Sequence, residues 1–209
     1  TSGNALGCEL QVYDISSSTN PVFVAGSDAD GTASGATNDN FFNLAISGDM
    51  LYVAKYGDGS VCTNVAGSTL GCEFMVFDIS SSTHPSYVYG WDITGSPDGL
   101  GSWTDGVNSF EVFGDRLFAA RYPNSTSCSQ TPGSAIGCEL QVYDISSTTR
   151  PVYAAGLDSS GTRDGNGSED LRSIAFSGSR IYISKWGYSG ACSQTDNINC
   201  NFLSFRLHN

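Results

Sequence analysis

Residues 137–151 read GCELQVYDISSTTRP. Residues 71–85 read GCEFMVFDISSSTHP, and residues 7–21 read GCELQVYDISSSTNP. The starts are 64 and 66 residues apart, so the chain is a tandem array. A weaker fourth start, Cys200 followed by Asn201-Phe202-Leu203-Ser204-Phe205, comes 62 residues after Cys138. Internal repetition at this period means one supersecondary unit stacked on copies of itself. The repeats run over about 7–70, 71–136 and 137–199, with a partial unit at 200–209, in a single region 1–209.

The rest of each unit aligns as well. After the proline come Val22-Phe23-Val24-Ala25-Gly26, Tyr87-Val88-Tyr89-Gly90 and Val152-Tyr153-Ala154-Ala155-Gly156. A loop rich in Asp, Gly and Ser follows. Two further apolar runs close the unit, the last being Leu51–Tyr56, Leu117–Tyr122 and Ile181–Trp186. Each unit thus holds four short runs of Val, Ile, Phe and Tyr bounded by Gly, Pro, Asp or Ser, which is a strand pattern. Ser47-Gly48-Asp49, Phe113-Gly114-Asp115 and Ser177-Gly178-Ser179 read as tight hairpin turns. No window carries the period of an amphipathic helix.

Four antiparallel strands per unit predict an all-β fold and the blade of a β-propeller. The expected order within a blade is the Gly-turn hairpin, then the Cys strand, then the Pro strand. The block around Asp14-Ile15-Ser16, Asp78-Ile79-Ser80 and Asp144-Ile145-Ser146 resembles the LVIVD-type propeller repeats of bacterial and other surface proteins. That resemblance spans the whole chain and implies a propeller fold. This chain's longer repeat and its cysteines depart from the family pattern. A β-solenoid or a string of β-sandwich modules is the runner-up architecture.

The chain has 209 residues, a formal net charge of −12 and a pI near 4.2. A surface this acidic has no electrostatic footprint for nucleic acid and is repelled by anionic membranes. No run of about 18 apolar residues is present to insert into a bilayer. The seven cysteines are Cys8, Cys62, Cys72, Cys128, Cys138, Cys192 and Cys200. The simplest pairing is Cys62–Cys72, Cys128–Cys138 and Cys192–Cys200, each closing a loop between neighbouring strands. Metal binding is the alternative, but the spacings are not those of zinc knuckles, and His84 and His208 do not repeat with the cysteines. Disulfides imply an oxidising compartment, hence a secreted or cell-surface protein.

Cys8 is left over. Projecting the repeat backwards places its partner before Thr1. The expectation is a fragment, a processed product, or a protomer completed by a neighbour, with other copies or missing blades of the same protein as partners. A parent of six to eight blades would have about 390–520 residues. Strands 8–27 could complete the blade begun at 171–187, in this chain or another, and the strand at 201–207 competes for the same slot.

Candidate chemistry is sparse. Neither histidine has a repeated acid or nucleophile beside it, so no catalytic triad is legible, and no phosphate-cradling glycine motif occurs. Asp28, Asp92 and Asp158 share one slot, and Asp39, Asp105 and Glu169 another; Asp30, Asp98, Asp164 and Asp170 lie nearby. They read either as Asx turns in solvated loops or as calcium ligands, calcium being the one cofactor considered. Lys55, Arg121 and Lys185 recur, each before an aromatic. They read as a structural pair, with Asp14, Asp78 and Asp144 as partners, or as an anion or sugar-acid contact. Trp91, Trp103 and Trp186 are candidates for stacking on sugars. Asn124 and Asn166 head N-glycosylation sequons.

These readings favour a non-enzymatic extracellular module with a structural or adhesive role, as part of a surface fibre or larger assembly. A glycan-binding propeller is the alternative, and a propeller hydrolase or lyase the second alternative.

Overall fold

The computed structural model describes residues 8–17, 19–30, 41–55, 61–67, 71–81, 83–94, 106–122, 127–133, 137–147, 150–159, 170–186 and 200–207. They form an all-β structure of four antiparallel sheets, with no α-helix among the described residues. In chain order the strands are β1 (Leu10–Asp14), β2 (Val22–Ser27), β3 (Phe41–Ser47), β4 (Met50–Lys55), β5 (Phe74–Asp78), β6 (Ser86–Trp91), β7 (Val107–Phe113), β8 (Arg116–Arg121), β9 (Leu140–Asp144), β10 (Val152–Leu157), β11 (Leu171–Ser177), β12 (Arg180–Lys185) and β13 (Phe202–Arg206).

The second and third sheets are complete meanders, β3-β4-β5-β6 and β7-β8-β9-β10. The first sheet holds only β1-β2, and the fourth β11-β12-β13. The strand order within a sheet is the one expected: Gly-turn hairpin, Cys strand, Pro strand. In the contest for the third position of the last sheet, β13 pairs with β12, while β1 and β2 stand as a separate pair. The last sheet therefore shows three strands among the described residues.

Each hairpin turns on a glycine at positive φ: Gly48 at 57°, Gly114 at 58° and Gly178 at 55°. The residue after each glycine is not at positive φ. That combination is the II′ turn, whose twist suits antiparallel neighbours. A β-bulge recurs at Phe42, Asn108 and Arg172, and a second where the Cys strand meets the Pro strand. Bulges repeated in register are features of the unit and sharpen its twist.

The sheets pack face to face in chain order. Leu10 of the first sheet meets Leu51, Val53, Met75 and Phe77 of the second. Tyr52, Phe74 and Val76 of the second meet Phe110, Leu117 and Ala119 of the third. Phe118, Ala120 and Leu140 of the third meet Ile174, Ile181, Ile183 and Leu203 of the fourth. Phe74 anchors the largest of these interfaces: it stacks on Trp91 at 5.0 Å and on Phe110 at 5.1 Å, with Tyr143 edge-on at 5.5 Å. Complete burial of such a side chain stabilises by about 1.5–3 kcal/mol from area alone. β7 lies against both β3 and β11, so the first strands of three sheets are neighbours. They are stitched by one recurring bond: Phe110 N–H donates to Asn43 Oδ1 (3.1 Å), and Ile174 N–H to Ser109 Oγ in the next pair (3.3 Å).

Candidate functional site

The antiparallel order gives every sheet two unlike ends. At one end lie the II′ turns and the Asp-Ile-Ser segments. At the other lie the cysteines, the sheet-to-sheet connections and the repeated cations. Binding residues gather on the longer connections of a rigid scaffold, so the cysteine end is the candidate face.

Cys62–Cys72 and Cys128–Cys138 are disulfides, each with Cα atoms 4.3 Å apart and a sequence separation of 10. Closing such a loop stabilises by roughly 2–3 kcal/mol in the chain-entropy account. Cys200 is disulfide-bonded and Cys8 is a free thiol of intermediate burial; Cys192 lies outside the described residues. A glycine makes room for each Cys-strand sulfur. A Cβ on Gly90 would sit 2.7 Å from Cys72 Sγ, one on Gly26 2.6 Å from Cys8 Sγ, and one on Gly156 would collide with Cys138 Sγ.

The cysteine segments tie sheets together. Gly67 N–H donates to the Asp30 carbonyl at 2.7 Å, and Gly133 N–H to the Thr94 carbonyl at 2.9 Å. In each case the bond lies within one sequence repeat but runs from the cysteine segment of one sheet to the turn that ends the preceding sheet. Asn64 Oδ1 accepts from Gly90 N–H at 2.7 Å, and Gln130 takes the same role with Gly156 at 3.1 Å.

Beneath these segments lies a buried polar layer. Lys55, Arg121 and Lys185 are 0%, 0% and 4% exposed. Their strand positions correct the expected pairing with Asp14, Asp78 and Asp144, which sit at the opposite end of the sheets. Those aspartates cap turns instead, accepting from Ser16, Ser80 and Ser146 N–H at 2.8–2.9 Å, which holds their carboxyls below the ordinary range. Asp144 also pairs with Arg116.

The buried cations meet a glutamate that sequence reasoning passed over: the Glu after each Cys. The Glu73 carbonyl accepts from Lys55 N–H and the Glu139 carbonyl from Arg121 N–H, both at 2.8 Å. The carboxylates reach across to the end of the Pro strand. Glu73 Oε2 accepts from Ile93 N–H (3.2 Å), Glu139 Oε2 from Ser159 N–H (2.9 Å) and Glu9 Oε2 from Ala29 N–H (3.1 Å). Asp28, Asp92 and Asp158 lie in this layer at 2%, 0% and 3% exposure, not in solvated loops as expected. Burial, reinforced by the nearby Asp92 charge, pushes the Glu73 carboxyl up to about 8, against the opposing pull of Lys55. Burial likewise raises Glu139 to about 7. Glu9 is raised too, by burial and by its hydrogen bond with Asp28. In the last sheet Asn201 replaces the glutamate, and Lys185 Nζ donates to the Ser159 carbonyl of the preceding sheet at 3.3 Å.

In the second and third sheets the layer holds two carboxyls and one cation each, closed from solvent. Among the described residues, no group of three or more His, Cys, Asp or Glu side chains converges as a metal site. The remaining candidate calcium ligands Asp39, Asp98, Asp105, Asp164 and Glu169 lie outside the described residues, as do Trp103, His208 and the sequon residues Asn124 and Asn166. The His84 ring lies 2.9 Å from Thr83 Oγ1 on an exposed turn.

Of the described tryptophans, Trp91 is buried in the core and Trp186 is 66% exposed. The Arg172 guanidinium lies 5.1 Å from the Trp186 ring and 5.0 Å from the Tyr122 ring, and it pairs with Asp170. Asn108 Nδ2 donates to Asp170 Oδ1 at 2.6 Å. At the opposite end, a groove of about 410 Å³ is lined by Asp144, Ser146, Ser147, Arg150, Val152 and Tyr153.

No family model matches the chain, and no curated protein matches it. No helix among the described residues is long and apolar enough to cross a membrane.

Proposed function

We propose that this chain is a non-enzymatic structural module of the extracellular space, a run of LVIVD-type β-propeller blades that works as part of a larger assembly. One observation carries the reading: the sheet-to-sheet contact is built from equivalent residues again and again, and its two halves are left open at the ends. Phe110 and Ile174 occupy one slot of the first strand and are 2% and 6% exposed, because the preceding sheet covers them. Leu44, in the same slot of β3, is 52% exposed, and Ile46 beside it 62%. Phe74 and Leu140 share a slot of the Cys strand at 0% and 3%; Phe202, in that slot of β13, is 62% exposed. Neighbouring first strands along one line support a radial arrangement of sheets. The recurring charged groups are engaged in bonds within their sheets, and Lys185 reaches the preceding sheet, which supports a structural role. The disulfides support an oxidising location, secreted or at the cell surface.

The exposed Trp186 beside Arg172 favours a second reading, a glycan-binding module, since the face of an indole suits the C–H face of a sugar. A glycan array on the isolated chain separates the two. The expected result is no specific sugar signal. A specific signal lost in Trp186→Ala replaces the structural reading with a lectin-like one.

A further inference from the structure

We propose that two copies of this chain close one ring by exchanging strands, with β1 and β2 of one copy completing the sheet begun by β11 and β12 of the other. The inference rests on the propeller reading and names the partner.

The pairing of β12 with β13 carries a like-charge mismatch. It places Arg206 opposite Arg180. In the equivalent pair of the third sheet, Arg116 faces Asp144 and forms a salt bridge. Like charges directly opposite on a ladder destabilise it, and unlike charges support it. β1 reads Leu10-Gln11-Val12-Tyr13-Asp14, residue for residue the sequence of β9, the strand that pairs with β8. In the register shared by the sheets, β1 would bring Asp14 opposite Arg180. It would set Leu10 where Leu140 sits, and Gln11 where Gln141 donates to the Ile93 carbonyl of the preceding sheet.

Within one chain the exchange would close a ring of only three sheets, fewer than the ~4–8 of closed propellers. Between copies it also covers the open faces. The Tyr182 side of the β11-β12 hairpin lands on Leu44 and Ile46 of the partner, as the Tyr52 side of β4 lands on β7 within each copy. Ser173, exposed here, reaches the Leu44 N–H in the way Ser109 Oγ accepts from Ile174. Each copy then contributes three four-stranded sheets. One copy falls short of the ~4–8 blades of closed propellers, two give six, and three exceed the range. The head-to-tail contact therefore closes with two-fold symmetry.

The free thiol fits the same account. Cys8 sits against Gly26 as Cys72 sits against Gly90, in the slot that Cys200 fills in the last sheet. As β1 of one copy replaces β13 of the other, the deprotonated Cys8 attacks the sulfur bonded to Cys200. A new S–S bond joins the two copies, and Cys200 leaves as a thiolate that takes up the proton. One disulfide replaces another, with no external oxidant.

The test uses the 209-residue chain, examined by sedimentation over a concentration series, by non-reducing electrophoresis with disulfide mapping, and by electron microscopy. A species of twice 22.0 kDa, a Cys8 peptide disulfide-linked across copies and a closed ring of six sheets are expected. Arg206→Asp, which gives β13 the partner charge that Arg180 lacks, should lower the dimer fraction. In a Cys8→Ser background, where association is reversible, Asp14→Arg should weaken dimerisation roughly two- to five-fold, and Arg180→Asp added to it should restore it. A monomer at all concentrations, with Cys8 titrating as a thiol and Cys200 still oxidised, overturns the exchange, as does growth beyond two copies. A monomer seen as an open arc of radiating sheets overturns the exchange alone. Sheets that do not radiate from one axis overturn the propeller reading as well.

Discussion

Glu73 has no exposed surface and sits beside Asp92, with Lys55 as the opposing charge. Its carboxyl is raised to about 8, so the folded chain holds a proton that the unfolded chain releases near the ordinary carboxylate value of 4.5. Glu139 behaves alike, with a value of about 7. Stability from these groups is fully present below about 4.5 and is lost as the pH rises through 7 to 8. Thermal unfolding followed from pH 4.5 to 8.5 should show a falling midpoint, and Glu73→Gln should flatten the fall. An unchanged slope in that variant would mean Glu73 ionises freely in the fold. The slot of Asp28, Asp92 and Asp158 was legible as a repeat, but its burial was not. The Glu that meets it lies about twenty residues away on another strand, and the cover comes from the adjoining sheet. Glu9, Glu73 and Glu139 stood in plain view after each Cys. Their recurrence, and its break at Asn201, was the available signal.

At the scale of strands and turns, the sequence spoke more clearly. Four β-rich runs, a glycine turn and a proline marked each unit, because hairpins are local and their turns demand particular residues. Which face of a strand is buried was not local. β1 and β9 have the same five residues, yet Tyr13 is 44% exposed and Tyr143 fully buried. Tyr143 packs on the complete second sheet, against Phe74 and Trp91, and Tyr13 has no such sheet on its side among the described residues. The disulfide elements give a direct test. Replacing Cys62 and Cys72 together by alanine should cost roughly 2–3 kcal/mol in denaturant unfolding. Gly90→Ala should cost about 1–3 kcal/mol, since the new methyl meets Cys72 Sγ and the Tyr87 hydroxyl at 2.7 and 2.8 Å. No change in Gly90→Ala would mean that the sulfur seat has slack.

For the molecule as a whole, repeat equivalence makes a paired prediction. Leu44 and Phe110 hold the same slot, one open and one closed. In monomer made by Cys8→Ser and high dilution, Leu44→Asp should alter stability by no more than about 0.5 kcal/mol, as for an ordinary surface site. Phe110→Asp should cost more than about 3 kcal/mol, from the lost ring and a buried charge. Equal effects would mean that β3 is covered in the monomer. How successive sheets turn on one another was not legible in one copy of the repeat, since it depends on how whole sheets meet.

The span of each disulfide has a consequence for how the chain matures. Cys62–Cys72 and Cys128–Cys138 both join cysteines ten positions apart. Under the secreted reading, a chain delivered residue by residue presents the second cysteine of a pair long before the next repeat. Each repeat can be oxidised on arrival, so the order of emergence enforces correct pairing without reshuffling across repeats.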